Sequence, residues 1–315
     1  MHLNVHALVL DLVFAVDARA LPDSGDMSRM SNNVCHPSRP QLSFGERLSH
    51  AGRVRSPRGA VSAIVDALGR RVAQRWWSRH APWYVGRAVE SMGLTTYLDR
   101  SAFEVGRVAD STFLNGLLWL GAYETLERHA VGKYLPRSSP VVELGAAIGV
   151  VSCLVNRRLA NPTLHVSVEA NPALIPVLER NRDRNGCRFR IIHSALAYAT
   201  DSVEFGVADD FTASSVGAVH SHSTVKVPAV SLERILSEAA FEHCTLLCDI
   251  EGSEGDLVRR EPHILRDRVH TLILEVHPDH LGDLGVTELG VELQRLGFWP
   301  IWQRGNVWVL DKTRR

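Results

Sequence analysis

The sequence predicts an α/β fold, a mostly parallel sheet finished by a C-terminal antiparallel hairpin. Two observations carry that prediction. Five short runs rich in β-branched residues, PVVELGAA, LHVSVEANP, RIIHSALA, TLLCDIEG and TLILEVHP, each end in small or polar residues and alternate with helix-compatible stretches. The last apolar segment, GFWPIWQRGNVWVL, reads as two strands about the turn Arg304-Gly305-Asn306.

Size and charge narrow the classes. A chain of 315 residues makes one large domain or a main domain with an accessory. Lys+Arg and Asp+Glu are each 35, so no global field attracts nucleic acid or anionic lipid, and no nucleic-acid partner is expected. With 45% hydrophobic and 22% charged residues the chain can build a sizeable core, which excludes wholesale disorder. The cysteines, Cys35, Cys153, Cys187, Cys244 and Cys248, show no CxxC pairing and read as reduced thiols. Asp11 and Asp17 interrupt ALVLDLVFAVDARA, so no stable membrane insertion is expected. That segment also lacks the basic start of a secretory signal, which makes the expected location cytoplasmic.

Taken in order, residues 1–57 read as a flexible leader, because Ser, Pro, Asn, Asp and Arg without apolar periodicity cannot repay the entropy of ordering. Residues 58–115 read as a helical accessory segment. Within it Val61, Ile64, Val65, Leu68, Val72 and Trp76 fall at helical spacing, with Arg70, Arg71, Arg75 and Arg79 on other faces. Such a helix could meet phosphate or anionic lipid through Trp76 and Trp77. Packing on the main domain with solvated arginines is the simpler reading. Leu94–Leu98 and Phe103–Val108 suggest short strands, and Tyr123–Leu135 a helix closed by Pro136. The main domain occupies 116–315. In it Asn171 is placed to cap a helix with Pro172 at its first position, Asn185-Gly186 supplies the stop, and Pro176 sits awkwardly inside.

Ligands of open parallel sheets bind at the carboxyl ends of the strands, so the residues closing these runs are the candidate site. After the first run, Gly145, Ala147 and Gly149 permit a tight turn and close backbone approach at a helix start. The string is not GxGxxG, since Ala147 and Val150 stand where glycine, and glycine or alanine, would be required with that register, and no P-loop string occurs. Glu169 closes the second run 20 residues past Gly149, where a carboxylate can accept both hydroxyls of a ribose. Its alternative is to cap the next helix with Asn171. Ser194 and Ala195 close the third run, where small side chains could border an adenine ring.

The fourth and fifth runs close in Asp249-Ile250-Glu251 and Glu275-Val276-His277. Alternate residues of an extended chain point the same way, which predicts two same-side polar pairs at the strand tips. Three readings stay open. His277, by its ordinary pKa, could take a proton from an attacking hydroxyl. All four groups are plausible ligands of a divalent metal. They could equally bind substrate hydroxyls. Between the third and fourth runs, DDFTASSVGAVHSHS reads as a polar lid; His220 and His222 lack a third metal ligand at convincing spacing.

In this order and spacing, VVELGAAIGVVS, VEANP, SALA, ASSV, LLCDIEGSEGDLV and LILEVHP resemble the FkbM family of S-adenosylmethionine-dependent methyltransferases, over about Gly116 to Val309. The segment LWLGAYETLER resembles the approach to that domain. The sequence departs from the family pattern at Glu143 (usually Asp), Ala147 (usually Asn) and Ala170 (usually Pro). The resemblance implies a Rossmann-like class I methyltransferase fold, a seven-stranded sheet with its last strand reversed. It implies S-adenosyl-L-methionine as cofactor, its methionine part held by Glu143, Gly145, Ala147 and Gly149. Glu169 with Asn171 would hold the ribose, and Ser194 and Ala195 would border the adenine. Asp249 and Glu251 would face the methyl group and a hydroxyl of a small-molecule or saccharide acceptor, while His277 is a catalytic candidate on the reading of the strand ends given above. Two other classes stay open: a metal-assisted hydrolase built on the strand-end carboxylates, and a non-catalytic cofactor-binding protein. A divalent metal suits the donor set, although nothing else in the sequence calls for one.

Overall fold

The structure is a computed structural model and describes residues 80–106, 110–207, 215–216 and 223–312. The leader 1–57, the basic helix expected over 59–77, Cys35, His220 and His222 lie outside the described residues. The described residues belong to one compact unit, Ala67–Arg315.

A helical stretch over 80–91 leads into a hairpin, β1 (Thr96–Leu98) and β2 (Ser101–Phe103). Its turn residues Asp99 and Arg100 both have positive φ, the geometry that matches strand twist, and this turn displaces the second strand expected at Phe103–Val108 toward the N-terminus. Helices α1 (Ser111–Trp119) and α2 (Thr125–Tyr134) follow. α2 stops because Leu135, preceding Pro136, is driven to an extended conformation.

The main sheet is built from the five predicted runs and the hairpin. Its strands are β3 (Val141–Leu144), β4 (His165–Glu169), β5 (Arg190–His193), β10 (Cys244–Cys248), β11 (Val269–Glu275), β12 (Trp299–Arg304) and β13 (Val307–Asp311). Their spatial order is β12-β13-β11-β10-β3-β4-β5. β5, β4, β3, β10 and β11 are parallel, and β13 runs antiparallel between β11 and β12. This is the Rossmann-like sheet with a reversed strand that the sequence predicts. From β3 the chain moves outward to β4 and β5, then crosses back to β10 and β11, so the strand order reverses between β3 and β10. A crevice opens at the carboxyl ends there.

Helices cover both faces, which is why these strands read as near-continuous apolar runs. Val142 and Leu144 of β3 join Leu232, Leu236, Leu257 and Leu265 on one face. Val141 meets Ala130 and Val155 on the other. The connecting helices are α3 (Val150–Arg158), α4 (Ile175–Arg184), α5 (Leu232–Glu238), α6 (Glu254–Arg260), α7 (Pro262–Arg268) and α8 (Pro278–Arg295). α4 starts later than expected. Asn171 closes a turn of its own, its Oδ1 accepting from Ala173 N at 3.0 Å, and Pro176 falls in the first helical turn, where its missing N–H costs nothing.

Two long-range polar anchors hold the layers. Fully buried Asn181 on α4 accepts from Glu104 N at 2.8 Å and donates to the carbonyls of Glu104 (2.9 Å) and Ile148 (2.8 Å). Buried Glu261 accepts from Leu232 N (2.8 Å), Glu233 N (2.7 Å) and the Tyr198 hydroxyl (2.8 Å), satisfying the start of α5 from 28 residues away.

A second, smaller sheet was not expected. β6 (Ala195–Leu196), β9 (Ser223–Val230), β7 (Ser202–Val207) and β8 (Ser215–Val216) pair in that order. Ser223, read as the end of a polar lid, opens a strand. Buried Phe205 and Val227 supply the apolar face of this sheet.

Candidate functional site

The site begins where β3 ends. Gly145 has φ +87°, and its N–H donates to the Val168 carbonyl at 3.0 Å, drawing the turn against β4. A Cβ at this position would lie 1.7 Å from the Asp249 carbonyl oxygen, so the turn after β3 and the end of β10 touch at the reversal point with only a hydrogen between them. Two residues on, Ala147 has φ +46°, which turns its N–H onto Glu169 Oε2 at 2.7 Å. The other oxygen, Oε1, accepts from Asn171 N at 2.7 Å. Burial raises the pKa of Glu169, and the backbone donors Asn171 and Ala147 oppose the shift. The backbone N–H of Ala170 also acts on this carboxylate, which leaves acceptor capacity for one more donor.

Beside these residues lies a cavity of about 610 Å³, within the size range of small-molecule sites. It has two chemically distinct linings. Leu174, Ser194, Ala195, Leu196 and Phe205 make a small and apolar wall. The remainder is acidic: Glu124, Glu127, Asp249, Glu251 and Glu275 line it together with His277, and no Lys or Arg does so among the described residues.

His277 sits among carboxylates. Its Nδ1 lies 2.9 Å from Oε1 of fully buried Glu254, and its Nε2 is 3.3 Å from Glu251 Oε2 and 3.5 Å from Asp249 Oδ1. Burial works against the imidazolium, but the hydrogen bond to Glu254 and the charges of Glu251 and Asp249 outweigh it and hold the pKa at about 9. The expectation that His277 keeps its ordinary pKa is thereby corrected; at neutral pH in the ligand-free protein it is already protonated. Asp249 is pushed up by burial and by Glu275 and Glu251, and its Oδ1 is buried without a hydrogen-bond partner. Glu275 is raised to about 7 by burial and by Glu127.

The structure brings Gly145, Ala147, Glu169, Asn171, Ser194, Ala195, Asp249, Glu251, Glu275 and His277 around one cavity. Two candidates stand behind it. Glu143 is buried under the sheet face, accepting from Ser167 Oγ at 2.6 Å with His165 Nε2 at 3.3 Å, and borders a narrow extension shared with Glu124, Glu127 and Asp249. Gly149 starts α3 with φ +87°, where a Cβ would lie 2.6 Å from Leu178, so it serves helix packing. The pairing at the fourth strand arises differently from the expectation. β10 stops at Cys248, and the turn that follows, with positive φ at Glu251 and Gly252, folds Asp249 and Glu251 toward His277.

Sequence reasoning missed Tyr123, Glu124, Glu127, Phe205 and Glu254. Tyr123 and Glu124 share a hydrogen bond at the cavity wall, and burial raises both of their pKa values. The first three lie in AYETLE, a string noted only as an approach segment. Glu254 lies three residues past Glu251, and no local signal reveals its bond to His277.

No family model matches the chain, and no curated relative matches it. Solved structures that match include a protein in the NADB-Rossmann superfamily from Streptococcus agalactiae, at 10% identity and TM-score 0.36, over 59% of this chain and 65% of that one. The chain thus spans slightly less than two thirds of that relative. Another is an O-methyltransferase from Bacillus cereus in complex with SAH, at 10% identity and TM-score 0.36, over 60% of this chain and 81% of that one. At that overlap the likeness is too slight to bear on activity. Among the described residues no helix is long and apolar enough to cross a membrane.

Proposed function

We propose that the protein is an S-adenosyl-L-methionine-dependent methyltransferase acting on a hydroxyl of a small-molecule or saccharide acceptor. The observation that carries this reading is Glu169. Its carboxylate is clamped by the N–H groups of Ala147 and Asn171 at the edge of a cavity of nucleoside size, and it retains acceptor capacity for a ribose hydroxyl. The linings fit the rest of the cofactor. The wall of Ser194, Ala195, Leu174 and Phe205 suits a flat apolar ring, while the acidic remainder, without Lys or Arg among the described residues, suits a group carrying sulfonium and ammonium charges. Glu143 and Glu124 border the extension where the amino group would lie.

When bound, the cofactor supplies a methyl group activated by positive sulfur. The chain's own residues align the reactants, which can contribute about 7–11 kcal/mol to such a displacement. Gly145 keeps the crevice open. Asp249, Glu251 and His277 hold the acceptor hydroxyl, and a carboxylate of this end receives its proton. We further divide the chain into a leader (1–57), an accessory segment (58–115) and a catalytic domain (116–315). The four described thiols, none in a disulfide, fit a cytoplasmic location.

Calorimetry with S-adenosylhomocysteine tests the reading. Saturable binding that Glu169→Ala abolishes, followed by transfer of labelled methyl to a polyol or glycoside, is the expected result; absence of binding to the folded protein would overturn it.

A further inference from the structure

We propose that Asp249, Glu251 and His277 form a binding site for one divalent cation of the Mn2+ type at the acidic end of the cavity. One donor atom from each, a carboxylate oxygen twice and an imidazole nitrogen once, lies within 4.8 Å of the others. Opposite ligands around a small divalent cation at ~2.1 Å stand ~4.2 Å apart, so a slight inward movement of the side chains closes the shell. Two oxygens and one nitrogen suit a cation that accepts both carboxylate and imidazole; on binding, the cation displaces the Nε2 proton of His277 into solvent, and three donors leave positions open.

Two independent features point to a cation. Asp249 Oδ1 is buried and accepts no hydrogen bond; the nearest cationic group, His277 Nε2, stands 3.5 Å away, beyond the usual length of such a bond. A buried acceptor without a partner is costly, and a cation would satisfy it. Glu254, fully buried and outside the cavity lining, bonds the remote nitrogen of His277 at 2.9 Å, and its own Oε2 has no partner. A carboxylate on one ring nitrogen fixes the ring so that the other nitrogen faces the carboxylates of Asp249 and Glu251. This is how metal-binding histidines are oriented. The wider lining adds Glu124, Glu127 and Glu275 and, among the described residues, no Lys or Arg.

The cation-binding claim stands without the methyltransferase reading. Its consequence rests on that reading: the open positions receive acceptor oxygens, so the preferred acceptor presents two adjacent oxygens, such as a vicinal diol.

The test is titration of Mn2+ into the full chain stripped with a chelator, followed by loss of the free-ion paramagnetic signal. One saturable site is expected. Asp249→Asn and His277→Gln are each expected to weaken it at least ~10-fold, and Glu254→Gln roughly 10- to 100-fold through loss of ring orientation. Glu169→Ala, which alters none of the three donors, should keep Mn2+ while losing S-adenosylhomocysteine. No binding at millimolar Mn2+, or binding unchanged in the folded variants, would overturn the site. Should a variant fail to fold, spin-echo modulation of Mn2+ bound to the unaltered protein answers instead: coupling to an imidazole nitrogen supports the site, and its absence overturns it. Absence of S-adenosylhomocysteine binding to the unaltered protein, with Mn2+ binding intact, would count against the methyltransferase reading alone.

Discussion

The backbone of Gly145 touches the carbonyl of Asp249 so closely that a β-carbon at residue 145 would stand 1.7 Å from that oxygen. The contact joins the turn after β3 to the end of β10, the two strands between which sheet order reverses. It also fixes where the acidic part of the cavity lies relative to Glu169. Asp249 N donates to the Leu144 carbonyl at 2.9 Å in the same place, so the turn cannot yield without breaking the ladder.

Gly145→Ala is therefore expected to destabilise the fold by at least ~2 kcal/mol, from overpacking and from strain at φ +87°. Chemical denaturation would measure it. A variant as stable as the parent would mean that the two turns separate freely.

Glu169 gives binding a defined pH dependence. Its carboxyl is raised by burial, so protonation begins at a higher pH than for an ordinary carboxylate, and the neutral form loses acceptors for the ribose hydroxyls. Affinity for S-adenosylhomocysteine should fall as pH is lowered through that raised value. Stability of the ligand-free protein carries the opposite sign from this group: between its unfolded and folded pKa values the folded state binds more protons, so its contribution declines as pH rises. Calorimetry at stepped pH, paired with melting of the ligand-free protein, separates the two.

Ala147 is the departure with the clearest physical consequence. It holds φ +46°, a conformation asparagine tolerates better than alanine. Ala147→Asn is expected to raise the melting temperature, by about 0.5–1 kcal/mol in stability, a fraction of the strain of a left-handed residue. It also adds a polar side chain to the lining, and S-adenosylhomocysteine affinity should be retained or strengthened; weakened binding in a stabilised variant would show that the small side chain is needed there.

Asn181→Leu removes three hydrogen bonds from a fully buried site and leaves the backbone of Glu104 and the Ile148 carbonyl without them. A loss of about 2–4 kcal/mol is expected. Hydrogen exchange should show the β1–β2 hairpin, which precedes Glu104, opening first. Uniform loss of protection would argue against a local anchoring role.

Much of this molecule is legible locally. β-Branched runs that end in polar residues report strands buried on both faces with polar tips, and Arg304-Gly305-Asn306 reports a hairpin turn, because both are consequences of backbone sterics and burial within a few residues. The same holds for Gly145, Ala147 and Glu169, whose spacing reflects one βαβ unit. The small sheet of β7 and β9 was masked by the polar stretch between its strands, although SVEF and TVKV carry the alternation.

Only tertiary structure decided the rest. Which residue holds His277, that Glu143 bonds Ser167 behind the cavity, and that Asn181 fastens Glu104 all depend on strand register and helix placement over separations of 23 to 77 residues. Side chains that meet across such distances do so because the sheet and its packed helices fix their positions, and neither residue carries a local mark of its partner. The acidic character of the cavity is of the same kind: each carboxylate is ordinary in its own segment, and their convergence with a single histidine exists only once β3, β10 and β11 lie side by side.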